Sequence, residues 1–277
     1  MFQAEKYDTL ASYYKILVVS DVHSDFESID KLIRHMSHNN NHRGEFFDMV
    51  FVLGDIANLP NLPCEYSEDQ MKQAIDELQL ALVTLLNLGP VYFIPGNHDS
   101  LEAFTDFRPK SDLIKSVHNR IIKIDENLTI MGFGGSSDTV WCDENGEEHV
   151  YWGGYPYSED VDVTFASNSM LENLKYHASE RVLLLTHQGP ANSAKTVVTK
   201  FQSNSFDLEN SEKLPLYTGS VAIQNLTEEI SRHNQLLGLL HGHTHCMYGI
   251  DSIHANGNEI PVMNPGALKN QRYAAPI

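Results

Sequence analysis

Seven short apolar runs punctuate the chain, at residues 16–19, 49–53, 91–94, 128–133, 182–185, 236–240 and 260–263. Each is rich in Val, Ile and Leu and is bounded by Gly, Pro or polar residues, the pattern of a buried strand. Helical spacing fills the intervals. Phe26, Ile29, Leu32, Ile33 and Met36 fall on one face of a helix, and Met71, Ile75, Leu78, Leu82, Leu85 and Leu86 on a second. Val221, Leu226 and Ile230 suggest a third. Strand and helix in alternation predict an α/β domain whose helices cover its sheets. The chain is read as a single domain, 1–277, interrupted by three long loops at about 100–118, 134–165 and 188–218. Loops of that length in a compact domain are usually functional or disordered. The HNNNH patch at 38–42 reads as a solvated loop closing a helix, with no metal role.

The chemistry sits directly after the strands. KILVVS runs into Asp21-Val22-His23, MVFVL into Gly54-Asp55, and VYFIP into Gly96-Asn97-His98-Asp99. RVLLLT runs into His187, and LLGLL into His241-Gly242-His243-Thr244-His245. In an open α/β sheet the carboxyl ends of the strands share one edge, where ligands bind. Residues more than 220 positions apart are therefore expected to converge. Two carboxylates, four or five imidazoles and an amide oxygen, with no thiolate in the motifs, argue against a cysteine-based structural zinc site. Mixed imidazole and carboxylate ligation suits Mn, Fe, Zn, Co or Ni. The donors outnumber the needs of one tetrahedral ion, and two ions bridged by a carboxylate would use them all. Adjacency alone does not say which of Asn97, His98 and Asp99 touches metal.

The ordered blocks DVH (21–23), GD (54–55), GNHD (96–99), TH (186–187) and GHTH (242–245), with a late NPG turn (264–266), resemble the signature of calcineurin-like metallophosphoesterases over about residues 15–268. The resemblance implies a four-layer α-β-β-α sandwich of two mixed sheets flanked by helices, with the metal site at the C-terminal strand ends. It implies that Asp21, His23 and His245 hold one metal, that Asn97, His187 and His243 hold the other, and that Asp55 bridges the two. It gives His98 a place facing the phosphate, where it stabilises the leaving oxygen or donates a proton, with Asp99 as the partner that orients its imidazole. The implied reaction is metal-dependent hydrolysis of a phosphate ester, in which a metal-bridging hydroxide attacks in line. A non-catalytic scaffold of the same fold and a protein phosphatase are the alternatives. A scaffold would tolerate loss of His98 or of a ligand, and none is missing here.

Composition narrows the partners. The 277 residues carry 37 Asp and Glu against 19 Lys and Arg, a net charge of −18. A surface that displaces counterions from a nucleic-acid duplex is basic, so the expected partner is a small phosphorylated molecule, a nucleotide among the options, and not a duplex. No apolar run reaches the length of a membrane helix. The N-terminus lacks the basic start and apolar core of a signal peptide, and three scattered cysteines form no CxxC pattern, so a cytoplasmic location is expected. Ile-Ala-Asn follows Asp55 where protein phosphatases of the calcineurin branch carry Asp-Arg-Gly, which disfavours that branch. The remaining histidines, His118 among them, read as surface or capping residues. His241 reads as a possible orienting neighbour of the ligands, and Cys246 as a small buried hydrophobe. YWGGYPY (151–157) is either a lid that stacks on a substrate ring or an aromatic cluster packing a long loop.

Overall fold

The computed structural model describes residues 13–39, 47–60, 66–142, 145–174, 180–198 and 215–270. In chain order its elements are β1 (Ile16–Val19), α1 (Phe26–Asn39), β2 (Met49–Leu53), α2 (Glu68–Leu85), β3 (Val91–Ile94), α3 (Leu101–Thr105), β4 (Ile114–Ser116), β5 (Arg120–Lys123), β6 (Thr129–Phe133), β7 (Thr139–Cys142) and β8 (Glu148–Trp152). These are followed by α4 (Asp160–Leu174), β9 (Arg181–Thr186), β10 (Val197–Val198), β11 (Leu216–Tyr217), α5 (Val221–His233), β12 (Gln235–His241), β13 (Gly249–Ala255) and β14 (Asn258–Asn264). Every apolar run read as a strand is one.

Two sheets pack face to face. The first, β1-β2-β3-β4, is parallel throughout. The second, β13-β14-β12-β9-β6-β5, is mixed: β14, β12, β9 and β6 run parallel, and hairpin partners β13 and β5 close its edges antiparallel. The two-residue period of a strand divides each sheet between two cores. Leu17, Val19, Val50, Val52, Val91 and Phe93 face α1 and α2. Their neighbours Ile16, Val18, Met49, Phe51, Leu53 and Ile94 face the second sheet, where they meet Ile130, Leu185 and Leu240. On that sheet's far side Met131, Phe133, Val182, Leu184 and Leu239 meet Val163 and Met170 of α4 and Ile223, Leu226 and Ile230 of α5. The layers run α-β-β-α, and burial on both faces explains why these strands read as continuous apolar runs. The parallel strands of both sheets point their carboxyl ends the same way, which sets up the site.

The stretches expected as loops carry structure. α3 and β4 lie within 100–118, and β7, β8 and the start of α4 within 134–165. β10 and β11 lie within 188–218, of which 199–214 fall outside the described residues, as does most of the HNNNH patch. Four of these strands form a third, antiparallel sheet, β10-β11-β7-β8. The sequence hid it because its strands are short and in part exposed, so no continuous apolar run marks them.

His118, read as a surface or capping residue, is buried. It is 8% exposed, ringed by Phe104 and Phe133, and its Nδ1 accepts the Gly134 N–H at 3.0 Å. Burial, helped by Arg120, pushes its pKa down to about 4 from 6.5. The folded state therefore keeps the ring neutral while the unfolded chain protonates it. The stability this confers is complete above about pH 6.5 and is lost as the pH falls toward 4, at up to roughly 1.4 kcal/mol per pH unit. In urea titrations between those pH values, His118→Gln should lower the slope of stability against pH by about one proton. An unchanged slope would contradict the neutral buried ring.

Candidate metal centre

The strand ends deliver their side chains through strained turns. Among the described residues, seven non-glycine positions have positive φ, and four are expected ligands: Asp21 (53°), His23 (50°), Asp55 (51°) and His243 (63°). L-residues rarely occupy this region, and such strain collects where surrounding structure holds residues to a task. Backbone bonds pin the turns together. The Asp21 N–H donates to Gly54 O at 3.0 Å, His23 N–H to Asp55 O at 2.8 Å, and Gly242 N–H to His187 O at 3.0 Å. Glycine is required where the turns touch. A Cβ on Gly96 would stand 2.2 Å from the Asp55 nitrogen, and one on Gly242 would stand 1.8 Å from Ser20 Oγ. The NPG turn has a specific task as well: Asn264 Nδ2 donates to Thr244 O at 2.9 Å, tying down the residue between His243 and His245.

All nine expected site residues gather here, and the seven expected ligands form two groups joined by Asp55. On one side His23 Nε2 lies 3.2 Å from His245 Nε2, and His245 Nε2 lies 3.1 Å from Asp21 Oδ1. Asp55 Oδ2 faces this group, 3.6 Å from His23 Nε2. The ligand atoms of Asp21, His23, Asp55 and His245 all lie within 4.8 Å of one another. On the other side Asn97 Oδ1 lies 2.9 Å from both His187 Nε2 and His243 Nδ1, and Asp55 Oδ1 lies 3.3 Å from His187 Nε2.

Neighbouring groups fix the tautomers. His187 Nδ1 meets the Leu53 carbonyl at 2.7 Å, so Nδ1 carries the proton and Nε2 turns its lone pair inward. His23 Nδ1 meets Asn58 Oδ1 at 2.9 Å, with the same result. His243 Nε2 meets Thr139 Oγ1 at 3.2 Å and leaves Nδ1 for the centre. Acceptor therefore confronts acceptor where His187 Nε2 faces Asn97 Oδ1. Only a proton or a cation between them relieves the repulsion. Burial pushes the His187 pKa down, but Asp55 and Asp21 outweigh it and lift the value to about 9. Burial would likewise raise Asp55, yet the imidazoles of His187, His98 and His23 hold it well below the usual carboxylate range. Burial would raise Asp21 too, but His245 reverses the direction. The donor set fits two cations of the kind that mixed imidazole and carboxylate ligation selects.

His98 borders this cluster, its ring 4.8 Å from that of His23. Its side chain is 22% exposed, between the 4% of His23 and the 31% of His245, and its Nε2 lies 4.0 Å from Asp55 Oδ2, farther than the imidazoles of His23 and His187. Its Nδ1 meets the Leu59 carbonyl at 2.5 Å. The expectation that Asp99 orients this ring is corrected: Leu59 does so. The Asp99 carboxylate instead accepts N–H groups from Ala57 at 2.7 Å, Gly96 at 2.7 Å and Ile56 at 3.0 Å, clamping the β2 turn to the β3 turn. Burial, and the charge of Asp55, push its pKa up to about 6 against these three bonds. His241 is fully buried, its Nδ1 3.0 Å from Gly242 O, and Nε2 has no partner among the described residues. Cys246, expected to be buried, is exposed.

Asn58 and the Leu53 and Leu59 carbonyls, which set the tautomers of His23, His187 and His98, and Thr139, which meets His243, carry no signal in the sequence pattern. Nor does Lys269, whose backbone N–H donates to Asp21 O at 3.3 Å and whose charge feels Asp21 and Asp55. A second network ties the third sheet to the centre. Gln188 accepts the Ser137 N–H at 2.9 Å and donates to Thr218 O at 3.0 Å, and Thr218 Oγ1 lies 2.5 Å from Thr244 Oγ1.

A family model described as calcineurin-like phosphoesterase matches residues 14–247. Among solved structures, one crystal structure 16% identical superposes with a TM-score of 0.60 over 95% of this chain and 94% of its own. TT1561 of Thermus thermophilus, also 16% identical, gives 0.52 over 95% and 98%. At that identity the likeness speaks for the fold alone. No curated protein matches the chain.

Proposed function

Because the chain belongs to the calcineurin-like phosphoesterase family, we propose that it hydrolyses a small phosphate ester with two metal ions. Asp21, His23 and His245 hold one ion, Asn97, His187 and His243 the other, and Asp55 lies between them. The observation that carries this reading is the split of the Asp55 carboxylate, with Oδ1 toward His187 and Oδ2 toward His23. When bound, two such ions supply ionised water near neutral pH and neutralise charge on the phosphoryl group.

The protein's own groups do the rest. Asp55 also accepts the His98 N–H at 2.8 Å, so the residue between the ions fixes the backbone of the residue that faces the substrate. Asn97 adds an oxygen ligand without a further negative charge beside Asp55. With Nδ1 held by the Leu59 carbonyl, the half-buried His98 has Nε2 as its remaining ring nitrogen, 4.0 Å from Asp55 Oδ2. Once protonated, Nε2 donates to the leaving oxygen, a general-acid role in reach of the phosphoryl group. The net charge of −18 repels a polyanion and favours a compact ester. Mn, Fe, Zn, Co and Ni all suit the donors.

The purified chain, stripped with chelator and reloaded with Mn²⁺, Zn²⁺ or Fe²⁺, is expected to turn over para-nitrophenyl phosphate or its bis-ester. The ratio of the two rates assigns monoesterase or diesterase activity. Failure on both esters with all three ions would sink the proposal.

A further inference from the structure

The antiparallel hairpin β7–β8 begins at the metal centre and carries aromatic side chains away from it. Thr139, fully buried, opens β7 and reaches His243 Nε2 at 3.2 Å. Its cross-strand partner is Trp152. Residues directly opposite in an antiparallel pair project from the same face with their Cβ atoms close together. The Trp152 indole therefore starts beside a residue that touches an expected ligand, on the face turned toward the centre, yet it is 48% exposed.

The register then slips. Thr139 pairs with Trp152 but Val140 pairs with Val150, so Tyr151 is the extra residue of a bulge. Strand alternation would send Tyr151 to the opposite face. Instead its ring meets Trp152 edge-on at 4.6 Å, with Tyr151 43% exposed. Bulges are over-represented beside active sites, where they re-aim a side chain. Two residues along β7, on the Thr139 face, Trp141 stacks on its partner His149 at 4.6 Å and 24°. The platform is anchored and not a loose flap: Thr139 binds His243, and Gln188 and Thr218 tie the same sheet to the turns that bear His187 and His243.

We propose that Trp152, supported by Tyr151, is a specificity-determining residue that stacks on a planar ring of the esterified group, so that the preferred substrate is a nucleotide-like phosphoester. This rests on the phosphoesterase reading of the neighbouring centre. A phosphate held at the centre leaves its ester substituent to extend over the adjoining wall, and that wall is built of half-exposed rings. Stacking accepts any base, because every base has a π face.

The experiment compares adenosine 5′-monophosphate with ribose 5-phosphate, which share the 5′-phosphoester and differ in the base. For the metal-loaded chain, kcat/KM is expected to be about tenfold or more higher with the base. Trp152→Ala should bring that ratio toward one, and Trp152→Phe should keep it well above the alanine value. A wild-type ratio near one, or a ratio unmoved by Trp152→Ala, overturns the proposal. Both tryptophans of the chain lie on this hairpin, so intrinsic tryptophan fluorescence gives a reading that needs no turnover. If neither ester is hydrolysed, the activity proposed above fails. Quenching by adenosine 5′-monophosphate but not by ribose 5-phosphate would still uphold the platform, and equal or absent quenching would overturn it.

Discussion

Asp55→Ala is expected to empty both metal positions, taking the content to well under one ion per chain and abolishing turnover. The side chain is 1% exposed, and each of its oxygens faces a different imidazole group. Without the carboxylate, the second group loses its only anionic donor: Asn97, His187 and His243 are neutral ligands. The first keeps Asp21 but loses the charge opposite it. Removing one partner of a buried charged cluster costs more than the pairwise attraction, because the remaining groups stay desolvated. Loss of metal should also lower the melting temperature, since a ligand that binds only the folded state stabilises it by about 2.7 kcal/mol at one hundred times its Kd. Asp55→Asn keeps the shape and loses the charge, so it should retain less metal than wild type and more than alanine. Elemental analysis of gel-filtered protein distinguishes the three. A chain that kept two ions after Asp55→Ala would refute the bridging role.

His98→Ala should do the opposite, keeping the metal and losing kcat by about 10²- to 10⁴-fold. The Nδ1 of the ring is spent on the Leu59 carbonyl, and its Nε2 stands 4.0 Å from Asp55 Oδ2, farther than the 3.3 Å of His187 and the 3.6 Å of His23. The bond from the His98 N–H to Asp55 is made by the backbone and survives the substitution. Steady-state kinetics paired with metal analysis separate the two roles. If His98→Ala stripped the ions as fully as Asp55→Ala, the ring would be a ligand and not the acid.

How much of this was visible in the chain depends on what each residue packs against. β1, β2, β3, β9 and β12 announced themselves because both faces are buried, and the polar residues after them stood out against the apolar runs. Topology then brought DVH, GD, GNHD, TH and GHTH together, since parallel strands end on one edge. What stayed hidden was of two kinds. The orienting groups of His187 and His98 are main-chain carbonyls, of Leu53 and Leu59, which no side-chain pattern can reveal. The third sheet is built from short strands with exposed faces, so TVWC and EHVYW carry no buried run. Asp99 was assigned to its sequence neighbour His98, but the tight GNHD turn points the carboxylate back at the N–H groups of Gly96, Ile56 and Ala57. The positive φ values at Asp21, His23, Asp55 and His243 mark the site as sharply as the side chains do, and they exist only in the folded backbone.

The central claim is a pair of metal positions sharing Asp55, and counting ions tests it most directly. Elemental analysis of the purified wild-type chain, reloaded with one ion at a time and freed of excess, should give two ions per chain. A plateau at one ion or none with each of Mn²⁺, Zn²⁺ and Fe²⁺ would contradict the dinuclear centre and the phosphoesterase mechanism built on it.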